Sequence, residues 1–212
     1  MIKRFIGQVS RRTAVLGLCT LMLPWRAYSA DDELVRLFSE LGARRERHAS
    51  FVERKFSALA KAPLESSGTL IFRAPSTLER HTLDPQRESV RIEGDTVTYE
   101  GAVRGSVQKR TFALGDAPQL QALIECLRST LAGDLAALRR HYDVALTTPQ
   151  DQTAGGWQIT LIPRERLLRE AVSKVVLRGA GSELSNVEIV ETGGDLTLLA
   201  ITPISAASAA KK

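Results

Sequence analysis

From Ala49 onward the chain alternates apolar and polar residues with a period of two, and the alternation is cut at short intervals by turn signals. Phe51, Glu53 and Lys55 alternate with Val52, Arg54 and Phe56. Short strands follow at 65–72, 77–83, 89–92 and 96–99. Between them stand Ala74-Pro75-Ser76, Asp84-Pro85-Gln86 and Glu93-Gly94-Asp95, and Gly94-Asp95 suits a tight hairpin. Strands this closely spaced pair only as antiparallel neighbours, because a parallel crossover needs a dozen or more residues.

Two stretches switch to a helical period. Leu34, Leu37, Phe38 and Leu41 recur at three- and four-residue steps behind Asp31 and Asp32, whose charges suit a helix N-terminus. Gly42 interrupts that pattern, although 44–47 could continue it as a solvated face. Further on, Leu120, Leu123, Ile124, Leu127 and Leu131 form one apolar stripe, and Gly133-Asp134 starts a second segment with Leu135 and Leu138. Strands resume at 143–148, 157–162, 173–178, 184–191 and 196–204, with a helical patch at 164–170 and a Gly193-Gly194-Asp195 hairpin. The expected fold is mainly β (α+β): about ten antiparallel strands in one large curved sheet, an incomplete barrel covered by an N-terminal helix and a helical insertion.

Residues 1–29 read as a signal peptide. Lys3, Arg4, Arg11 and Arg12 precede the apolar run 14–23, which is too short to span a bilayer, and small residues follow at Ala27 and Ser29, placing cleavage after Ser29. Ser10-Arg11-Arg12-Thr13 is similar to a twin-arginine signal, but Ala14 and Val15 stand where that motif carries bulkier residues, so unfolded export is expected. Leu18 is too large for Cys19 to be a lipidation site. The domain is then 30–204, and the Ala/Ser/Lys stretch 205–212 reads as a disordered tail.

Export changes the charge argument. Residues 1–30 hold five of the 29 Lys and Arg and none of the 24 Asp and Glu, so the remainder is formally neutral. The basic excess expected of a nucleic-acid binder is absent from the folded part. Cys126 is the one cysteine beyond the signal peptide, which rules out an intrachain disulfide and a cysteine-built zinc site there.

Catalytic spacing is missing too: there is no H-E-x-x-H, no G-x-S-x-G and no phosphate-binding glycine loop. His48, His81 and His141 belong to different elements, and Cys126 at the flank of an apolar stripe reads as a small core residue. No catalytic residue, metal or cofactor is expected. What remains is apolar surface. Leu70 and Phe72 share one face of their strand while Ile71 lies on the other; Val90 and Ile92 straddle Arg91, and Val97 and Tyr99 straddle Thr98. Strands apolar in this way are buried on both sides or line a cavity.

Three segments carry a family resemblance: Ala49-Ser50-Phe51-Val52-Glu53-Arg54, the run from Ser67-Gly68-Thr69-Leu70 through Phe72-Arg73-Ala74-Pro75, and the run from Ile92-Glu93-Gly94-Asp95 to Tyr99. In order and spacing the chain resembles the LolA-like periplasmic carriers of outer-membrane lipoproteins. The resemblance implies a half-barrel whose cavity holds acyl chains, with Leu70, Phe72, Leu78, Val90, Ile92, Val97 and Tyr99 as lipid-binding positions and Arg73 and Pro75 at the lid-side turn. It implies an acylated lipoprotein or lipid as cargo, an inner-membrane exporter and an outer-membrane acceptor as partners, a monomer, and no enzyme activity. Glu53 stands in place of the family's glutamine, Ala74 in place of the arginine before the turn proline, and Arg80 in place of an aromatic after Leu78. These departures imply a divergent member, carrying a different acylated or polyene lipid. Two alternatives from other classes are an envelope-stress sensor of the same fold and a periplasmic hydrolase with a Ser/His pair.

Overall fold

The computed structural model of the chain describes residues 30–103, 106–148 and 155–204. The signal peptide, its cleavage site, Cys19 and the tail 205–212 lie outside the described residues.

Helix α1 (Ala30–Gly42) carries Asp31, Asp32 and Glu33 in its first turn and buries Leu34, Leu37, Phe38 and Leu41. It ends at Gly42, and residues 44–47 do not extend it. Strand β1 (Glu46–Phe56) begins there instead, and Arg47 of that strand donates from Nη2 to the carbonyl of Leu41, satisfying one of the helix's last acceptors. The chain then meanders through β2 (Leu64–Arg73), β3 (Thr77–Asp84), β4 (Glu88–Glu93), β5 (Thr96–Val103) and β6 (Ser106–Ala113). A 3-10 turn (Leu114–Asp116) leads into α2 (Pro118–Ala132) and α3 (Leu135–His141). The second meander is β7 (Tyr142–Thr147), β8 (Gly156–Pro163), helix α4 (Arg166–Ala171), β9 (Val172–Ala180), β10 (Glu183–Glu191) and β11 (Leu196–Pro203).

All eleven strands belong to one antiparallel sheet in the order β6-β5-β4-β3-β2-β1-β11-β10-β9-β8-β7. The outer strands β6 and β7 do not pair, so the sheet is not closed into a barrel. Strand β6 is the one absent from the sequence reading. Its side chains are almost all exposed, and Lys109 and Arg110 interrupt any apolar alternation, as suits an edge strand that must resist further pairing.

The link from β6 to β7 carries α2 and α3 from one edge of the sheet to the other, so α2 crosses the inner face. Helices α1 and α2 meet at two glycines. Gly133 caps α2 in the left-handed region, with φ of 76°. A Cβ on Gly133 would stand 2.3 Å from the Phe38 carbonyl oxygen, and one on Gly42 would stand 2.7 Å from that of Ala132. Only glycine permits this approach.

The inner face is filled unevenly. Over β8 and β9, the helices seal Ile159, Leu161, Val175 and Leu177 completely, together with Phe38, Leu41 and Leu138. At the far side a small cluster of Ile92, Val97 and Leu114 packs under Leu120 and Ile124. Between the two clusters the inward side chains are only half buried.

Candidate functional site

The half-buried region is a cavity of about 950 Å³, within the range of small-molecule sites. Register explains its walls. Leu70 pairs with Ala49 on one side and Arg80 on the other, Phe72 with Leu78, Leu78 with Ile92, and Ile92 with Val97. Since alternate residues of a strand share a face, one inward surface carries Leu70, Phe72, Leu78, Val90, Ile92, Val97 and Tyr99, and all seven line the cavity. Ile71 also borders it.

The opposite wall comes from strands that the sequence reading did not associate with this site. Val187 and Ile189 of β10 and Leu199 and Ile201 of β11 complete it, because β11 is the hydrogen-bonded neighbour of β1. The roof is α2, whose Leu123, Ile124, Leu127 and Leu131 face inward. The stripe at 120–131 was visible in the sequence; the surface it covers was not.

Arg73 and Pro75 are placed elsewhere. Pro75 is exposed, and Arg73 points to the outer face, where its Nε donates to Glu46 at 2.9 Å and Nη1 to Glu79 at 2.7 Å. Burial alone would raise the Glu79 carboxyl. Hydrogen bonds from His81 and Arg73, with the Arg73 and Arg91 charges, outweigh it and hold Glu79 below its ordinary value.

Two other arginines fasten the helices to the sheet, Arg47 at α1 and Arg128 at α2. Arg47, whose side chain is 9% exposed, bridges the end of α1 to the β9–β10 turn through the Ser182 carbonyl at 2.5 Å, with Glu183 at 3.6 Å. Arg128 donates from α2 to the Gly94 carbonyl in the β4–β5 turn at 2.6 Å. Burial lowers both guanidinium groups from their ordinary value. The Nε of each is buried with no hydrogen-bond partner among the described residues.

The cavity is not uniformly apolar. Glu53 and Arg80 face into it from β1 and β3, where sequence reasoning had registered them only as departures from a pattern. They form a two-point ion pair at 2.7 and 3.3 Å, and the Arg80 guanidinium lies 4.3 Å from the Phe51 ring centroid.

The remaining candidates for chemistry are separated. His48 contacts Glu46, His81 contacts Glu79, and His141 lies between Glu125 and Glu165. Cys126 is fully buried, and burial pushes its thiol up to about 12.

Among solved structures, a LolA superfamily protein, NE2245 of Nitrosomonas europaea, aligns with 83% of this chain and 92% of its own, at 10% identity and a TM-score of 0.41. A putative outer membrane lipoprotein-sorting protein domain of Vibrio parahaemolyticus aligns with 84% and 94%, at 9% identity and 0.41. The MucA/MucB complex of Pseudomonas aeruginosa aligns with 80% of this chain and 54% of the matched one, at 17% identity and 0.43. No curated protein sequence matches significantly. The sequence pattern of one family, described as outer membrane lipoprotein carrier protein LolA-like, matches residues 26–212, and the chain therefore belongs to that LolA-like family.

Proposed function

We propose that this chain is a periplasmic carrier that holds the acyl chains of a lipoprotein or another lipid in its cavity and shuttles them toward the outer membrane. One observation carries the reading: the helices seal the inner face over β8 and β9, yet leave about 950 Å³ of mostly aliphatic space over β2–β5, β10 and β11. Side chains such as Leu70, Leu123 and Leu199 line the cavity and still remain only partly buried. Covering such surface with a hydrocarbon tail is favourable by roughly 25 cal/mol per Å² removed from water.

Leu70, Phe72, Leu78, Val90, Ile92, Val97 and Tyr99 form the cargo-contacting wall on this reading, and α2 is the element that must move for loading. Reversible transfer from an inner-membrane exporter to an outer-membrane acceptor needs a bound form of moderate stability. A roof helix fastened to the far turn by the Arg128–Gly94 hydrogen bond is suited to that. No catalytic step is proposed.

The test is mass spectrometry of the protein isolated from the periplasm and extracted with organic solvent. A stoichiometric acylated molecule is expected. Recovery from the cytoplasm, or protein that neither carries lipid nor takes up an apolar fluorescent probe, would overturn the reading.

A further inference from the structure

The Glu53–Arg80 pair is part of a polar band that crosses the inner face over five strands. Glu53 is on β1, Ser66 on β2, Arg80 and Thr82 on β3, Glu88 on β4 and Tyr99 on β5. Arg80 donates through Nη1 to Glu53 at 2.7 Å, through Nη2 to Glu53 at 3.3 Å and Ser66 at 3.0 Å, and through Nε to Thr82 at 3.4 Å. Glu88 in turn accepts from the Thr82 hydroxyl at 3.2 Å and the Tyr99 hydroxyl at 3.3 Å. The side chains of Glu53 and Arg80 are only 24% and 27% exposed.

Register sets the band beside the apolar chamber. The row Phe72–Leu78–Ile92–Val97 lies near the roof residues Leu120 and Ile124, and Arg80, Thr82 and Glu88 follow one and two steps further along the strands. A long-chain amphiphile with its tail under α2 would therefore bring its polar end to this band.

The chemistry of the band restricts that end. A guanidinium has five N–H donors, and four of Arg80's are engaged by Glu53, Ser66 and Thr82. One donor remains, surrounded by carboxylate and hydroxyl acceptors. An incoming carboxylate or phosphate would have to displace Glu53 from a two-point pair, leaving that partly buried charge uncompensated. Within this band it would also face two carboxylates, Glu53 and Glu88, against the one guanidinium of Arg80, since the cavity's other arginines, Arg44 and Arg47, are paired with Glu183 at the Phe72 row and beyond it.

We propose that the cavity selects amphiphiles whose polar end is uncharged and rich in hydrogen-bonding groups, of the glyceride type, and discriminates against free fatty acids and phosphate-ended lipids. This rests on the carrier reading and narrows its cargo.

The experiment loads the protein with diphenylhexatriene, a fluorescent hydrocarbon without a polar end. Bound probe is then displaced with a monoacylglycerol and with a fatty acid of equal chain length, near pH 8. The monoacylglycerol is expected to compete at least about tenfold better. Glu53→Gln, which releases Arg80, should cut that ratio several-fold, and so should Glu88→Gln, which removes a repelling charge and keeps a second arm should the first variant fold poorly. Fatty acid competing as well as monoacylglycerol in the native protein, or a ratio unmoved in both folded variants, would overturn the selectivity. Failure of diphenylhexatriene itself to bind would instead remove the carrier reading beneath it.

Discussion

Arg128 reaches from the middle of the roof helix to the carbonyl of Gly94, 2.6 Å away in the β4–β5 turn, and so fastens α2 to the sheet at a point 34 residues distant in sequence. Its Nε is buried without a partner, so replacing the whole side chain by an apolar one of similar length removes a hydrogen bond and a desolvated donor together. Arg128→Met should leave global stability within about 1 kcal/mol while speeding hydrogen–deuterium exchange in α2. Unchanged exchange in α2 would show that the arginine does not hold the roof.

Leu70 and Leu199 line the cavity from the two sides of β1, and both are half buried. Leu70→Glu or Leu199→Glu should weaken uptake of an apolar fluorescent probe by about tenfold or more, since an ionised group would have to lose water or deny space to the hydrocarbon. Leu78→Glu should do the same with a larger loss of stability, because Leu78 also packs against both core clusters. A thermal midpoint that falls steeply in the first two variants, without a specific effect on uptake, would assign those side chains to ordinary core.

Gly133 tests the helix crossing. Its φ of 76° alone costs a side-chain-bearing residue roughly 1–2 kcal/mol, and the Phe38 carbonyl adds a clash. Gly133→Val is expected to lower the thermal midpoint by about 4 °C or more. Gly115, where a Cβ would meet nothing within 4 Å, is the control, and Gly115→Ala should change the midpoint little.

Cys126 is fully buried and its thiol is pushed up to about 12, so almost no thiolate exists near neutrality. In a chain beginning at Ala30, a thiol-reactive dye near pH 8 should label it only after denaturation. Rapid labelling of the native protein would mean that α2 opens far enough to expose its inner side.

Glu79 gives a pH signature. Its carboxyl is held below the ordinary 4.5, so its contribution is complete above that value and is lost as pH falls through the lowered one. Glu79→Gln should cost about 1 kcal/mol at neutral pH, with the gap to the native protein constant above pH 5 and closing below about pH 4. A gap that does not change with pH would remove the ionic origin.

The walls on β2–β5 were legible because Val90 and Ile92 straddle Arg91, Val97 and Tyr99 straddle Thr98, and Leu70-Ile71-Phe72 is an unbroken apolar run, all local properties of single strands. The far wall was not, although Val187 and Ile189 alternate just as well. Placing them opposite Leu70 requires the β1–β11 pairing, which no local pattern encodes. Arg80 read as a lost aromatic because its partner Glu53 lies 27 residues away on a strand that is not its neighbour. Strand β6 stayed hidden because its side chains are exposed on both faces, whereas β7 at the other edge buries or half-buries alternate residues and was visible.

The seam where β1 joins β11 also bears on how the molecule is made. Ser50 and Thr202 touch across it although 152 residues separate them. Each meander can assemble from neighbouring hairpins, but the middle of the sheet stays unjoined until the last strand has left the ribosome. Contacts of such long sequence separation slow folding.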